Sequence, residues 1–541
     1  MQAHLIRTLL PVLLAAPLVA CGGDDDDAPD GPPKLADVLT HAQDALGTSD
    51  AERAGKPNQI VTQSVAADGQ RFDVGQTFHL GDPPLLIQSF AYARTRDLLG
   101  GRVRTAWNRA GGYPTQVPFV YDEISNPTNG YFTAPHNFEE ALTFQMMPAM
   151  SPGNVDAAQR NREMDEPHVL IAEAIAHPDH VSDFKSITVD GNAAYEFSLA
   201  RPFAPTRVAV DAKTFLPVQV ARLEADAVYG DAQLVVKFSG WIPVAGAMVP
   251  KELVRTLGGD VVQQDHRHDY AFAAGADTGV FDVPAGSTAP YDATAAQIGD
   301  LHPDLFDRGA AIGLLEGEEL THVNAILIAP NIYTLIGGTH HSIAIGLDHG
   351  VIVVEAPNDE GRSLAVEASV AQLFPGKPIQ YVISTHRHAD HVGGLRTYVA
   401  QGVPVVAPAP DLDYYKKVFA APHTMVPDLL QKTPRDAQLI GVDSTGWSFT
   451  DGARTVQAIL LPSTHVDQQI VVWVPDAKLA FQSDLFYPHL APLDMMPLPF
   501  RISTHDLYQQ LVIDRGLDVQ VVASGHADVA TGDDFKAAAG F

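Results

Sequence analysis

Cysteine is almost absent from this chain: Cys21 is the only one in 541 residues. The rest of the chain can therefore form no disulfide and offers no thiolate to a metal ion. Basic residues are also scarce, with 35 Lys and Arg against 65 Asp and Glu and a formal net charge of -30. Nucleic acid is excluded as a partner, because a phosphate-binding surface needs a basic stripe to displace counterions. No apolar run is long enough to span a bilayer comfortably; the run from Thr8 to Ala20 falls short of about 20 residues. With 46% hydrophobic and 18% charged residues, the chain has ordinary globular composition. Its length points to two or three domains.

Residues 1–20 have the layout of an export signal, with Arg7 ahead of a short apolar stretch and small residues before Cys21. Leu18-Val19-Ala20-Cys21 resembles the bacterial lipobox, which implies that Cys21 is acylated and begins the mature protein. Residues 21–34, with Gly22-Gly23 and the run Asp24 to Asp27, read as a solvated acidic tether, because like charges this dense resist collapse. Gly22 after the cysteine is similar to the outer-membrane sorting pattern. The expectation is an envelope lipoprotein held by a lipid anchor at Cys21 and facing the periplasm.

Residues 35–290 read as a mainly antiparallel β-domain. Ala194 to Leu199, Arg207 to Val210, Val218 to Leu223 and Leu234 to Phe238 alternate apolar and polar positions, with turn residues at Asp211-Ala212-Lys213 and Tyr229-Gly230-Asp231. The stretch between residues 136 and 185 reads as more helical. The pattern is similar to the curved-sheet domains of periplasmic lipoprotein carriers, although no motif carries the similarity. Two histidine clusters, His266-Arg267-His268 and His177-Pro178-Asp179-His180, read as exposed strand and turn residues, because spacing alone supplies too few ligands. Residues 291–324 read as a linker.

Residues 325–541 read as α/β. A hairpin is expected around Gly337-Gly338-Thr339-His340-His341, then strand Val351 to Glu355. A helix capped by Ser363 follows, with Val366, Val370 and Leu373 on one face and Pro375-Gly376 as its stop. Strand Ile379 to Ser384 leads into Thr385 and the hexad His386-Arg387-His388-Ala389-Asp390-His391. Four potential ligands in six residues suit a two-metal site, with His386 and His388 facing one ion and Asp390 and His391 turning toward a second. Imidazole with carboxylate suits zinc.

The hexad resembles the His-x-His-x-Asp-His signature of the metallo-β-lactamase superfamily. That resemblance implies an αββα sandwich at the C-terminus and three further ligands: His465 in the first site, Asp484 bridging the ions, and His526 in the second. Each follows an expected strand: Val456 to Leu461, Leu479 to Gln482, and Val519 to Ala523. Ligands from such distant positions converge only where strand ends share one sheet edge. Two positions depart from the family pattern. Glu355-Ala356-Pro357 stands where Asp-x-Gly is common, and Ser483 replaces the glycine before Asp484.

The implied chemistry is hydrolysis of a small acyl substrate by hydroxide generated at two divalent ions, with Asp390 orienting the water and shuttling a proton. Asp484 as the bridging ligand resembles glyoxalase II and the lactonases, so an ester, lactone or thioester is expected. A β-lactam is the alternative substrate. A non-enzymatic alternative is binding of an apolar ligand or envelope partner by residues 35–290. Tyr487 stands where some lactonases place a tyrosine and is a candidate catalytic donor. His340, His341 and Phe486 are candidate pocket residues, with Met495, Met496 and Phe500 in the apolar stretch after Asp484.

Overall fold

The computed structural model describes residues 33–47, 61–98, 100–111, 118–135, 148–150, 152–201, 204–274, 278–285, 323–337, 339–490 and 496–541. The expected signal, Cys21, nearly all of its tether and of the linker, and Met495 lie outside them.

The first part is built on one twelve-stranded antiparallel sheet. Its strands run in the order Gly130–Phe132, Pro118–Ser125, Arg102–Gly111, Leu85–Asp97, Val61–Asp73, Asp260–Ala274, Glu252–Leu257, Gly230–Ser239, Pro217–Asp226, Thr206–Asp211, Asn192–Leu199 and Val181–Val189. Alternation drives the pairing. In Arg102–Gly111 the side chains of Val103, Thr105, Trp107 and Arg109 are buried, and the residues between them are more exposed. Helices Leu35–Leu46 and Pro167–Ala176 cover one half of the sheet, placing Val38, Leu39 and Ile171 against Phe197, Val208 and Val236. The helical expectation for residues 136–185 holds for Pro152–Met164 and Pro167–Ala176, whereas the chain from Val181 is already strand.

The second part is a four-layer sandwich. A seven-stranded sheet runs Asn324–Ala329, Ile332–Gly337, His340–Gly346, Val351–Val354, Ile379–Ile383, Val405–Pro408, Leu439–Val442. It faces a six-stranded sheet that runs Trp447–Asp451, Arg454–Pro462, Gln468–Val474, Leu479–Gln482, Val521–Ser524, Ala530–Thr531. Ile343, Ile352, Val354 and Ile383 meet Val456, Val472 and Phe481 between the sheets. The central strands are apolar on both faces, because helices cover the outside as well. Glu360–Leu373 and Leu395–Gln401 pack over the first sheet, and Leu498–Tyr508 and Gly532–Ala538 over the second. The helix expected to be capped by Ser363 starts one turn earlier. Asp359 accepts the Arg362 N–H as N-cap, and Ser363 is buried inside the helix, donating its hydroxyl to the Gly394 carbonyl.

The two parts dock along several contacts. Met496 and Phe500, from the stretch after Asp484, join a cluster with Phe90, Tyr92 and Trp107 of the first sheet. The Thr424 N–H and hydroxyl donate to Asp231. The segment after strand Val61–Asp73 reaches into the hexad.

Candidate metal centre

The site sits at one edge of the sandwich. Strands Ile379–Ile383, Arg454–Pro462, Leu479–Gln482 and Val521–Ser524 all end there, and the antiparallel strand His340–Gly346 begins there. Two four-residue groups result: His386, His388, His465 and Asp484, and His340, Asp390, His391 and His526. Within each group the ligand atoms lie within 4.8 Å of one another.

Asp484 stands between the groups. Its Oδ2 is 3.1 Å from His386 Nε2 and 3.0 Å from the Nε2 of both His465 and His391, and its Oδ1 is 2.7 Å from His526 Nε2. Its backbone has φ 62°, an uncommon value for a non-glycine residue, and such values cluster where function fixes a side chain.

The outer shell settles which imidazole atoms point inward. His526 Nδ1 is 2.9 Å from the Thr339 carbonyl, which can only accept, so Nδ1 carries the proton and Nε2 presents a lone pair. His388 is reversed: its Nε2 donates to the Thr77 carbonyl at 3.1 Å, and Nδ1 is buried with no hydrogen-bond partner among the described residues. His391 Nδ1 lies 2.5 Å from Glu355 Oε2. His391 Nε2 and His526 Nε2 then face each other at 3.1 Å. Lone pairs aimed at a common point are repulsive unless a cation lies among them, so this donor set fits a pair of divalent ions.

Electrostatics agree. Burial acts to raise the Asp484 carboxyl, but the imidazoles of His526, His391 and His465 outweigh it and hold the group well below the usual carboxylate range. Burial pushes His388 well below the usual imidazole value and His340 down to about 3, which favours the neutral imidazole that a metal ion requires. Burial alone would lower His391 too, but Asp484, Asp390 and Glu355 hold it well above the usual value, with carboxylates at both ring nitrogens, Glu355 at Nδ1 and Asp484 at Nε2.

The structure thus brings all seven expected metal ligands together and adds an eighth residue, His340. The sequence places His340 and His341 at a hairpin tip as candidate pocket residues. Gly337 pairs with His340, and both His340 and His341 are buried strand residues. His340 Nε2 is 3.1 Å from Asp390 Oδ2, whereas His341 turns to the Ala527 carbonyl. Tyr487 reaches the centre, with its hydroxyl donating to Asp484 Oδ1 at 3.2 Å and its ring stacked beside His526. Phe486, a candidate pocket residue in the sequence, lies in the core among the described residues. It is buried against Phe535 in the core beneath the second sheet, because the next residue along the chain faces the opposite way. His266 and His268 are exposed and pair with Glu252 and Asp269. His177, Asp179 and His180 lie close together but exposed.

Several supporting residues have a role that the sequence alone does not show. Glu355, which replaces the usual aspartate, is fully buried, orients His391 and accepts the Thr385 N–H at 2.8 Å. From the first domain, Gln76 donates its side-chain N–H to Asp390 Oδ1 at 2.6 Å. The Gly75 carbonyl accepts from Ala389 N, and those of Thr77 and Phe78 accept from Arg387. A Cβ on Gly75 would lie 2.5 Å from that of Ala389, so only glycine allows this approach.

The family model of the Metallo-beta-lactamase superfamily matches residues 335–526. The chain carries a metallo-β-lactamase superfamily domain. Proteins of that superfamily are in general metal-dependent hydrolases. Among curated proteins, 2,4-dinitroanisole O-demethylase subunit alpha of Nocardioides sp. (strain JS1661) is 23% identical over 199 residues, which are 36% of this chain. The matched stretch spans 55% of that relative's length. Among solved structures, a metallo-β-lactamase from Pontibacter korlensis is similar at 16% identity and TM-score 0.29, covering 40% of this chain and 97% of that one. The DIM-1 metallo-β-lactamase gives the same identity, TM-score and coverage of this chain, with 95% of its own length. The superfamily domain occupies the C-terminal sandwich, and the β-domain before it lies outside the matched residues.

Proposed function

We propose that this chain is a binuclear metal-dependent hydrolase that opens an ester, lactone or thioester. The observation that carries the reading is Asp484, one carboxylate in contact with histidines of both four-residue groups. His386, His388 and His465 would hold one ion, and Asp390, His391 and His526, with His340 beside them, the other. The donor set is imidazole and carboxylate with no thiolate, which suits zinc. Two such ions supply a water of near-neutral pKa and polarise the substrate carbonyl.

The remaining steps belong to the chain. Asp390 is gripped from two sides, by Gln76 on Oδ1 and His340 on Oδ2, so its carboxylate is fixed to orient a water and pass a proton to the leaving group. The Tyr487 hydroxyl, whose one proton is directed to Asp484 Oδ1 at 3.2 Å, would turn that proton to the acyl oxygen as charge develops there. The fixed Asp390 carboxylate needs no such reorganisation during reaction, which is the source of its catalytic value.

The test is turnover of a panel containing a generic ester, a lactone, a thioester and a β-lactam, with and without chelator. Ester-type turnover abolished by chelation and restored by zinc supports the reading; turnover of the β-lactam alone overturns the substrate class. The name of the 23% identical relative adds 2,4-dinitroanisole, an aryl methyl ether, to the panel. We also propose, on the lipobox-like run Leu18-Val19-Ala20-Cys21 alone, that the chain is held at the bacterial envelope by an acyl chain on Cys21.

A further inference from the structure

Arg387 stands in the hexad between two ligands, His386 and His388, yet it makes no contact with the ion-facing atoms of either group. Both of its neighbours face the first group, and along an extended stretch the residue between them leaves on the opposite side. There its side chain is 2% exposed. A buried charge is a poor source of stability, because desolvation offsets much of what its partners return. Its role lies in the particular atoms it joins.

Three stretches of chain meet at this guanidinium. Its Nη2 donates to the Thr77 carbonyl at 2.8 Å and to the Phe78 carbonyl at 2.6 Å, both on the first-domain segment that follows strand Val61–Asp73. Its Nη1 donates to Asp467 Oδ1 at 3.1 Å, two residues after the ligand His465, and Asp411 Oδ2 lies 3.9 Å from the same nitrogen. Two backbone bonds run in parallel with these. The Asp467 N–H donates to the Phe78 carbonyl at 3.1 Å, and the Ala389 N–H to the Gly75 carbonyl at 3.1 Å. The segment from Gly75 to Phe78 therefore lies along the hexad with its carbonyls turned toward it.

The Thr77 carbonyl has a second donor, His388 Nε2 at 3.1 Å. That bond orients the ring and leaves Nδ1 for an ion, so whatever fixes the carbonyl fixes the ligand. Partners that orient a ligand through its outer nitrogen govern metal affinity by about ten- to a hundredfold.

We propose that Arg387 is a positioning residue: it seats the segment from Gly75 to Phe78 against the hexad and, through the Thr77 carbonyl, fixes His388 for the first ion. The inference rests on the two-ion reading of the site. The planar fork suits the task, because one nitrogen reaches two successive carbonyls while the other holds the Asp467 carboxylate. A lysine ammonium is a single point of charge and cannot span them all.

The experiment compares the full wild-type chain with Arg387→Ala and Arg387→Lys in two measurements, neither of which reads turnover. In the first, metal-free protein is exchanged into deuterated water and digested, and peptides carrying the Ala389 and Asp467 amides are followed. Both amides donate to the segment, so Arg387→Ala should exchange them faster, while strand Val351–Val354 exchanges as in the wild type. In the second, zinc is titrated against a chelating dye. Arg387→Ala should weaken one of the two ions by about ten- to a hundredfold, and Arg387→Lys should restore part of the loss. A residue that serves stability alone would lower the unfolding temperature and leave the zinc affinity of the folded chain unchanged, and that result overturns the proposal. Should Arg387→Ala not fold, Arg387→Lys carries the test, and wild-type zinc affinity in that variant overturns the proposal. A wild type that binds no zinc defeats the two-ion reading and with it the role toward His388. That failure is distinct from unchanged exchange at Ala389 and Asp467, which defeats the clamp itself.

Discussion

At the scale of single residues, the account rests on atoms with a fixed direction. His388 is the most diagnostic, because the Thr77 carbonyl holds its Nε2 proton and leaves Nδ1 aimed into the first group. His388→Ala should empty that group, leaving His386 and His465 to hold an ion with Asp484 shared, and should lower turnover by at least about a hundredfold. Full activity with normal metal content would contradict the ligand assignment. Tyr487→Phe separates chemistry from packing. The ring keeps its contacts with Phe500 and His526 and only the hydroxyl is lost. The expected outcome is unchanged metal content and a fall in kcat on esters of about a hundredfold, as for loss of one oxyanion donor. An unchanged kcat makes Tyr487 a packing residue.

Much of the centre was legible at this scale because the hexad is local and the later ligands follow apolar strands. His340 was harder to read. The run Gly337-Gly338-Thr339-His340-His341 looks like turn throughout, and only pairing with Gly337 shows that His340 opens a strand at the ligand edge. Phe486 was misread for a related reason. In an aromatic stretch between prolines, composition does not say which side chain faces a site and which faces the core.

At the scale of elements, the decisive one is the segment following strand Val61–Asp73. Asp73 Oδ1 takes the Gly75 N–H at 2.6 Å and bends the chain toward the hexad, where Gln76 meets Asp390 across a separation of 314 residues. No sequence pattern marks such a contact, since it exists only after two domains have docked. A hydrogen bond to a charged group is worth about 1.5–3 kcal/mol. Gln76→Leu should therefore lower kcat about ten- to a hundredfold with both ions retained, as read by steady-state kinetics beside elemental analysis. Loss of one ion with little change in kcat would instead make Gln76 a prop for the second group. Gly75→Val should be worse, because a side chain there collides with Ala389 and pushes the segment off the site.

At the scale of the whole molecule, the first domain contributes to the candidate metal centre as well as packing beside it. It supplies Gln76 and the Thr77 carbonyl to the centre and packs Phe90, Tyr92 and Trp107 against Met496 and Phe500. The antiparallel character of this domain follows from alternation in its strands. The burial of Arg96 and Arg267 within it does not, because each arginine alone reads as a surface residue and only the curved sheet gathers them. The anchor is tested separately. Metabolic labelling with a fatty acid should mark the wild type and leave Cys21→Ser unmarked, and equal labelling of both would rule the anchor out.

The central claim is that eight side chains at one sheet edge form a two-ion centre, and metal stoichiometry tests it most directly. Elemental analysis of the full chain, purified under zinc-replete conditions, should give two ions per 58.0 kDa chain, both removable by chelator. One ion or none under those conditions would contradict the account.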